Sequence, residues 1–186
     1  MNAPNNSPIG RLRSLPVWCA ALFLAVVPPA VSAAGVGLAQ LPQRWLGDDG
    51  RALAFDSLAG RRVVLTMAFA GCHVICPLAI RQLQKMQRQL DARGEQADFV
   101  IVGYDPENEG PADWRAFRAN HHLERSNWHF LSGSRDDTEQ LAQQLGFEFW
   151  KYDEHVMHGM RALVFDPRGQ LQLELGSETK NWASAI

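Results

Sequence analysis

Two cysteines separated by three residues are the feature of this sequence best suited to chemistry. Cys72 and Cys76 lie in the run Gly-Cys-His-Val-Ile-Cys-Pro, between an apolar segment rich in β-branched residues and a segment with helical spacing. The backbone N–H groups and the dipole at the start of a helix favour a thiolate over a thiol. Two thiolates can cycle between dithiol and disulfide, or they can bind a soft metal ion. Residue types alone leave both uses open.

Permanent structural roles for the same cysteine pair are weaker interpretations. An exported domain can hold one structural disulfide, but a position between a strand and a helix favours a reactive pair. Structural zinc normally takes four protein ligands, and the sequence has neither a second Cys pair nor a His pair at the usual spacing. The third cysteine, Cys19, lies in an N-terminal apolar run and reads as a small apolar residue.

Histidine and methionine are concentrated in residues 153–160, just before the last predicted pair of strands. This stretch contains His155, Met157, His158 and Met160. Cu(I) prefers thiolate and thioether ligands and accepts imidazole, so two cysteines with one of these residues would suit copper. A histidine in a loop is more often solvated or hydrogen-bonded than a ligand, and methionine more often fills a core. Spacing alone does not choose among the four.

Apolar runs and helical spacing alternate along the chain around these residues. Three runs have the pattern of buried strands: residues 62–69, 97–103 and 128–131. Apolar residues recur at helical spacing in three further segments: residues 77–93, 111–121 and 136–145. Residues 162–165 and 171–175 flank an Asp-Pro-Arg-Gly turn, which predicts an antiparallel hairpin. The sequence therefore predicts an α/β domain with a C-terminal β-hairpin.

The N-terminal residues have the pattern of an export signal. Arg11 and Arg13 precede an apolar run over residues 17–27, and small residues suited to a signal peptidase follow it. The run is short for a bilayer span, which needs about 20 residues. We therefore predict a cleaved signal peptide or an uncleaved signal anchor in residues 1–33. Residues 34–186 would form one domain, either periplasmic or anchored in the inner membrane and facing the periplasm.

The composition is that of a globular, slightly acidic chain. Lys and Arg number 18 against 20 Asp and Glu, and the pI is near 6.3. A chain with this balance has no overall attraction to polyanions, so we expect no nucleic-acid partner. Hydrophobic residues make up 46% of the sequence, enough for a core that does not depend on cross-links. Membrane contact would come only through the N-terminal segment, if it is retained.

Taken together, the motifs resemble the Sco/SenC family of copper-binding, thioredoxin-fold proteins linked to cytochrome c oxidase assembly. The resemblance spans about residues 41–176 and rests on four features: the apolar run 63–69, the CxxxCP motif at 72–77, Asp105-Pro106, and His158 placed eight residues before Asp166-Pro167-Arg168-Gly169. Thioredoxins themselves typically have CxxC and lack this histidine. The resemblance implies a thioredoxin-like fold, with a central mixed sheet flanked by helices.

The resemblance also implies that Cys72, Cys76 and His158 are copper ligands. Family members commonly have Pro-Asp between the cysteines, where this chain has His73-Val74-Ile75, and Ser or Thr where it has Gly159. Neither change removes a ligand. Two thiolates and an imidazole would suit Cu(I), and a further ligand would let the site accept Cu(II).

Two functions compete for these residues. The first is a copper chaperone that delivers its metal to a cuproenzyme, such as a cytochrome oxidase subunit. The second is a thiol–disulfide oxidoreductase in which Cys72 and Cys76 form the catalytic redox pair, served by a thioredoxin-like reductant. We favour the chaperone, mainly on the resemblance. Oxidation of the pair would remove two ligands, so its redox state would control copper loading in either case.

Overall fold

The computed structural model of the protein describes residues 35–71, 75–153 and 155–186. For Ile75 and His155 it describes the backbone only. The predicted export signal, as well as Cys72 and His73, therefore lies outside the described residues. None of the helices formed by the described residues is long and apolar enough to span a bilayer.

The described residues form nine strands and three α-helices that alternate along much of the chain. In chain order they are β1 (Trp45–Gly47), β2 (Ala52–Leu53), β3 (Val63–Ala68), α1 (Ile75–Arg93), β4 (Asp98–Gly103), α2 (Pro111–Asn120), β5 (Trp128–Ser132), α3 (Arg135–Leu145), β6 (Phe149–Tyr152), β7 (His155–His158), β8 (Ala162–Phe165) and β9 (Leu171–Leu175).

Seven of these strands form one mixed sheet in the order β2-β1-β5-β4-β3-β8-β9. The central strands β3, β4 and β5 are parallel, whereas β8 pairs antiparallel with β3 and with β9. Helices α1 and α2 contribute to the core on one face of the sheet, and α3 contributes to the core on the other. The predicted mixed sheet flanked by helices and the C-terminal hairpin β8–β9 are confirmed.

Strands β3 and β4 are buried along their whole length because both faces of the sheet are covered. Alternate side chains belong to opposite cores: Val64 and Ile101 pack with the α1 side, Leu65 and Val100 with the α3 side. Each such side chain contributes about 1.5–3 kcal/mol when it leaves water. A strand covered on both faces is therefore marked in the sequence by a continuous run of apolar residues, not by alternating apolar and polar residues.

The structure adds a hairpin that the sequence pattern did not predict. His155–His158 form strand β7, which pairs antiparallel with β6 in a separate two-stranded sheet. Asp153 has a φ of 57°, the left-handed conformation that lets the chain reverse between the two strands. The hairpin β6–β7 thus fixes His158 opposite Phe149.

Candidate metal centre

Cys76 and His158 are 82 residues apart in sequence and lie in contact. The distance from Cys76 Sγ to His158 Nε2 is 3.4 Å. Cys76 lies in the first turn of α1 and His158 is the last residue of β7. Both side chains are buried, with 2% and 8% of their surface exposed. The fold therefore brings together two of the three residues predicted to bind copper, whereas Cys72 lies outside the described residues.

The backbone fixes the orientation of the His158 ring. Its Nδ1 lies 2.9 Å from the carbonyl oxygen of Gly159. Because a carbonyl oxygen can only accept a hydrogen bond, Nδ1 carries a proton, and in the neutral imidazole Nε2 then presents its lone pair towards Cys76 Sγ. Metal-binding histidines commonly have this second hydrogen bond to a backbone carbonyl. The imidazole is thus oriented as a ligand before any metal arrives.

Strand β3 holds the segment that follows His158. The Thr66 hydroxyl donates a hydrogen bond of 2.6 Å to the carbonyl oxygen of Arg161. Thr66 also pairs with Ala162, the first residue of β8. Because β3 ends at Ala68, four positions before Cys72 in sequence, the strand that holds the segment after His158 also leads to the first cysteine.

The aromatic ring of Tyr104 packs against the imidazole of His158. Its ring centroid lies 4.8 Å from that of His158 and 4.9 Å from that of Phe149. Burial raises the pKa of Tyr104 above its ordinary value, and a thiolate at Cys76 adds to this shift. The hydroxyl therefore stays neutral, and the ring shields one side of the imidazole from water. Sequence reasoning missed this residue, although its place between a buried strand and Asp105-Pro106 was a usable signal.

A cleft of about 490 Å³ opens beside His158. Its lining is mixed and includes the rings of Tyr104 and Phe147 and the side chain of Met160. Three carboxylates also line it, those of Glu148, Glu174 and Glu178, against one cation, Arg161, which pairs with Glu174. The carboxylates favour the approach of a cation, because charges at the mouth of a cleft raise the local concentration of counter-ions. The cleft provides a route from solvent to His158.

The two methionines near His158 differ in position. Met160 lines both the cleft and a small cavity that Cys76 and His158 share. Met157 is 42% exposed and pairs with Trp150 across the hairpin, while its neighbours Val156 and His158 are buried. Side chains alternate along a strand, so Met157 lies on the opposite face from His158. Met160 is therefore the methionine that the fold places beside the site.

The sequence model of the SCO1/SenC family matches residues 41–185 of the chain. The chain belongs to the SCO1/SenC family. The SCO1 protein homolog of Bacillus subtilis is 27% identical over 133 residues, which are 71% of this chain and 62% of that protein. The chain thus spans less than two thirds of the length of this relative.

Solved structures of Sco proteins have the same thioredoxin-like fold as this SCO1/SenC protein. BsSco, a member of the Sco family of cytochrome c oxidase assembly proteins in which a disulfide switch was identified, has a TM-score of 0.67 at 25% identity, covering 78% of this chain and 87% of that one. Yeast Sco1 with copper bound has a TM-score of 0.68 at 21% identity, covering 78% of this chain and 84% of that one.

Two buried carboxylates lie next to the site in this SCO1/SenC protein. Glu109 accepts hydrogen bonds from the backbone N–H groups of Ala70 and Asp105. Burial raises the pKa of Glu109 to about 7, although these two hydrogen bonds act to lower it. The pKa of Asp105 is below its ordinary value: burial acts to raise it, but hydrogen bonds from Lys151 and Asn108 outweigh that effect. Sequence analysis did not single out Glu109.

Among the described residues, no group of three or more His, Cys, Asp or Glu side chains could hold a metal ion. Cys76 and His158 supply one sulfur and one nitrogen that face each other. A three-ligand centre at this position would draw on Cys72, which follows Ala70 and Gly71 in sequence. The donor set fits a soft cation such as Cu(I) better than a hard one.

Glu109 predicts a specific pH dependence of stability. Because its pKa is raised in the folded protein, the folded chain binds a proton between about pH 4.5 and 7 that the unfolded chain has lost. Stability should therefore fall as pH rises through this window, by at most about 1.4 kcal/mol per pH unit. Urea unfolding of wild type and Glu109→Gln across this window should show a shallower decline in the variant.

The control for this measurement is Asp113→Asn. Asp113 accepts a hydrogen bond from the N–H of Gly110 at the same helix start but is exposed to solvent. The charge of Asp113 makes the smallest contribution to the raised pKa of Glu109, so this variant should change the slope of stability against pH much less than Glu109→Gln does. An unchanged slope in Glu109→Gln would show that Glu109 ionises as an ordinary surface carboxylate.

Proposed function

We propose that this protein is an exported copper chaperone that binds one Cu(I) ion through Cys72, Cys76 and His158 and passes it to a cuproenzyme. The observation that carries the proposal is the contact between Cys76 Sγ and His158 Nε2, with Nδ1 held by the Gly159 carbonyl. Two thiolates and a neutral imidazole are a suitable set for Cu(I). A respiratory oxidase is the favoured client, because BsSco belongs to a family of cytochrome c oxidase assembly proteins.

The surroundings of His158 suit delivery of a metal rather than permanent storage. The three carboxylates that line the cleft outnumber its one guanidinium, that of Arg161, and attract the cation, and the buried ring of Tyr104 limits water on the other side. Three ligands leave room for a ligand from the client to join before one of the three departs, as in open metal sites. Copper-bound yeast Sco1 has the same fold and supports copper as the cargo here.

The redox state of the two thiols would control loading. Forming a Cys72–Cys76 disulfide releases two protons and two electrons to an oxidant such as a partner disulfide, and it removes both thiolate ligands. A dithiol reductant reverses the step. The disulfide switch identified in BsSco supports such a step in this family member. The periplasm or the outer face of the inner membrane, where disulfides form readily, is the compartment we propose for this domain.

A second candidate function is reduction of cysteines on a partner protein. It uses the same thiol pair, and a position at the start of α1 favours its reactivity. Cys76 is only 2% exposed, so a partner sulfur cannot reach it in this conformation. In that function Cys72 would be the residue that forms the mixed disulfide, and Cys76 would resolve it.

Replacing His158 separates the two functions. His158→Ala should weaken Cu(I) binding by at least about tenfold, because one of three ligands is lost, while disulfide exchange with a small dithiol continues at a similar rate. Competition with a coloured Cu(I) chelator measures the affinity. His129→Gln is the matched control, since His129 contacts Asp98 at the start of β4 and lies away from Cys76. Equal affinity in His158→Ala and wild type would overturn the ligand assignment.

Oxidation should abolish copper binding. The reduced domain from residue 34 onward should bind one copper ion per chain, and its two thiols should become unreactive towards an aromatic disulfide reagent once copper is bound. The oxidised domain should bind no copper under the same conditions, because the disulfide sulfurs are poor ligands. Copper binding of equal affinity in both redox states would contradict a site that uses both thiolates.

A further inference from the structure

The segment that follows β4 contains two acidic residues that are almost completely buried. Asp105 is 6% exposed and Glu109 is 4% exposed. Buried carboxylates are costly unless they are hydrogen-bonded, so the groups they contact indicate why they are there. Each contacts a different part of the chain that leads to a predicted copper ligand.

Glu109 contacts the loop that leads to Cys72. One carboxylate oxygen accepts the backbone N–H of Ala70, and the other accepts the N–H of Asp105 at 3.3 Å. Ala70 lies two residues before Cys72 and beyond the end of β3. The first contact therefore ties Ala70, just after β3, to the segment that follows β4, and β3 and β4 are themselves paired.

Gly103 makes room for this carboxylate. A Cβ atom at Gly103 would lie 3.2 Å from Glu109 Oε2 and 3.1 Å from the ring of Trp114. Both distances are tighter than ordinary contacts between carbon and its neighbours. The last residue of β4 therefore has no side chain at the point where the Glu109 carboxylate and the Trp114 ring pack.

Asp105 contacts the hairpin that carries His158. Its Oδ1 accepts a hydrogen bond of 2.8 Å from Lys151 Nζ, and its Oδ2 accepts one of 2.8 Å from Asn108. Lys151 is on β6 and pairs with Val156, two residues before His158 on β7. The carboxylate of Glu107 lies 3.6 Å from the same ammonium group and adds to its attraction. Hairpin and β4 are thus joined by a partly buried ion pair.

We propose that Asp105 and Glu109 are positioning residues that hold the β6–β7 hairpin and Ala70, two residues before Cys72, against the segment that follows β4. This inference rests on the proposed copper site, in which Cys76 belongs to α1, His158 belongs to β7 and Cys72 follows β3 in sequence. Strand β4 is buried on both faces and cannot move without disrupting the core. Anchoring both elements to it keeps the sulfur and nitrogen donors at a fixed separation, as outer-shell contacts do at other metal sites.

The first test measures the Glu109 contact itself. In the wild-type protein the amide proton signals of Ala70 and Asp105 should shift together in an NMR pH titration, with a midpoint near 7. The charged groups that face Glu109 are Asp105 and Asp113, so an Asp113→Asn sample identifies any contribution from that neighbour. Both shifts should disappear in Glu109→Gln. An Ala70 amide that does not titrate in wild type would overturn the Glu109 part of the proposal.

The second test measures the consequence for copper. Glu109→Gln should lower the Cu(I) affinity of the reduced full chain by about tenfold at pH 8, as is typical when an outer-shell partner is changed. Asp113→Asn alters the same helix start and should leave the affinity at the wild-type value. Equal losses in the two variants would show a general effect of helix stability and would overturn the positioning role.

The Lys151 contact can be tested by loss and rescue. Lys151→Met should lower Cu(I) affinity and Lys151→Arg should restore most of it, because arginine can also donate to the Asp105 carboxylate. Equal affinities in Lys151→Met and wild type would overturn the Asp105 part. If wild type itself failed to bind copper, the proposed function would be contradicted instead. The NMR titration of the Ala70 amide would still test whether Glu109 contacts that amide.

Discussion

The pairing of β3 with its two neighbours is the constraint on which the rest of the site depends. Ala68 pairs with Gly103 at the end of β4, and Thr66 pairs with Ala162 at the start of β8. Three segments of the chain therefore meet at the same end of these strands: residues 69–71 after β3, Tyr104 after β4, and the segment between His158 and β8. Burial of β3 and β4 on both faces makes this arrangement rigid.

Hydrogen bonds and burial then determine the protonation states of the side chains at this end of the strands. The Gly159 carbonyl fixes the proton of His158 on Nδ1, and Nε2 faces Cys76. Tyr104 remains neutral and packs against the imidazole. The acidic groups have two different roles. Exposed glutamates that line the cleft attract cations, whereas buried Glu109 accepts hydrogen bonds from backbone N–H groups, including that of Ala70. A soft cation therefore meets donors that are already oriented.

The sequence predicted the parts of the fold whose pattern is local. Continuous apolar runs marked β3 and β4, and Gly146, with a φ of 67°, ended α3 as its glycine suggested. The β6–β7 hairpin was missed because no side chain of β6 is fully buried, so that strand shows no alternation of buried and exposed residues. Glu109 was missed because its role depends on a contact 39 residues away, at Ala70. Cys76 was named from its spacing to Cys72, and His158 was chosen by family resemblance; their contact could be seen only in the fold.

X-ray absorption of the copper-loaded, reduced protein tests the central claim most directly, because it counts the atoms around the metal. A site built from Cys72, Cys76 and His158 predicts two sulfur neighbours and one imidazole nitrogen for Cu(I), with the nitrogen lost in His158→Ala. A spectrum with sulfur neighbours alone in wild type, or one in which His158→Ala keeps the imidazole signal, would contradict the account.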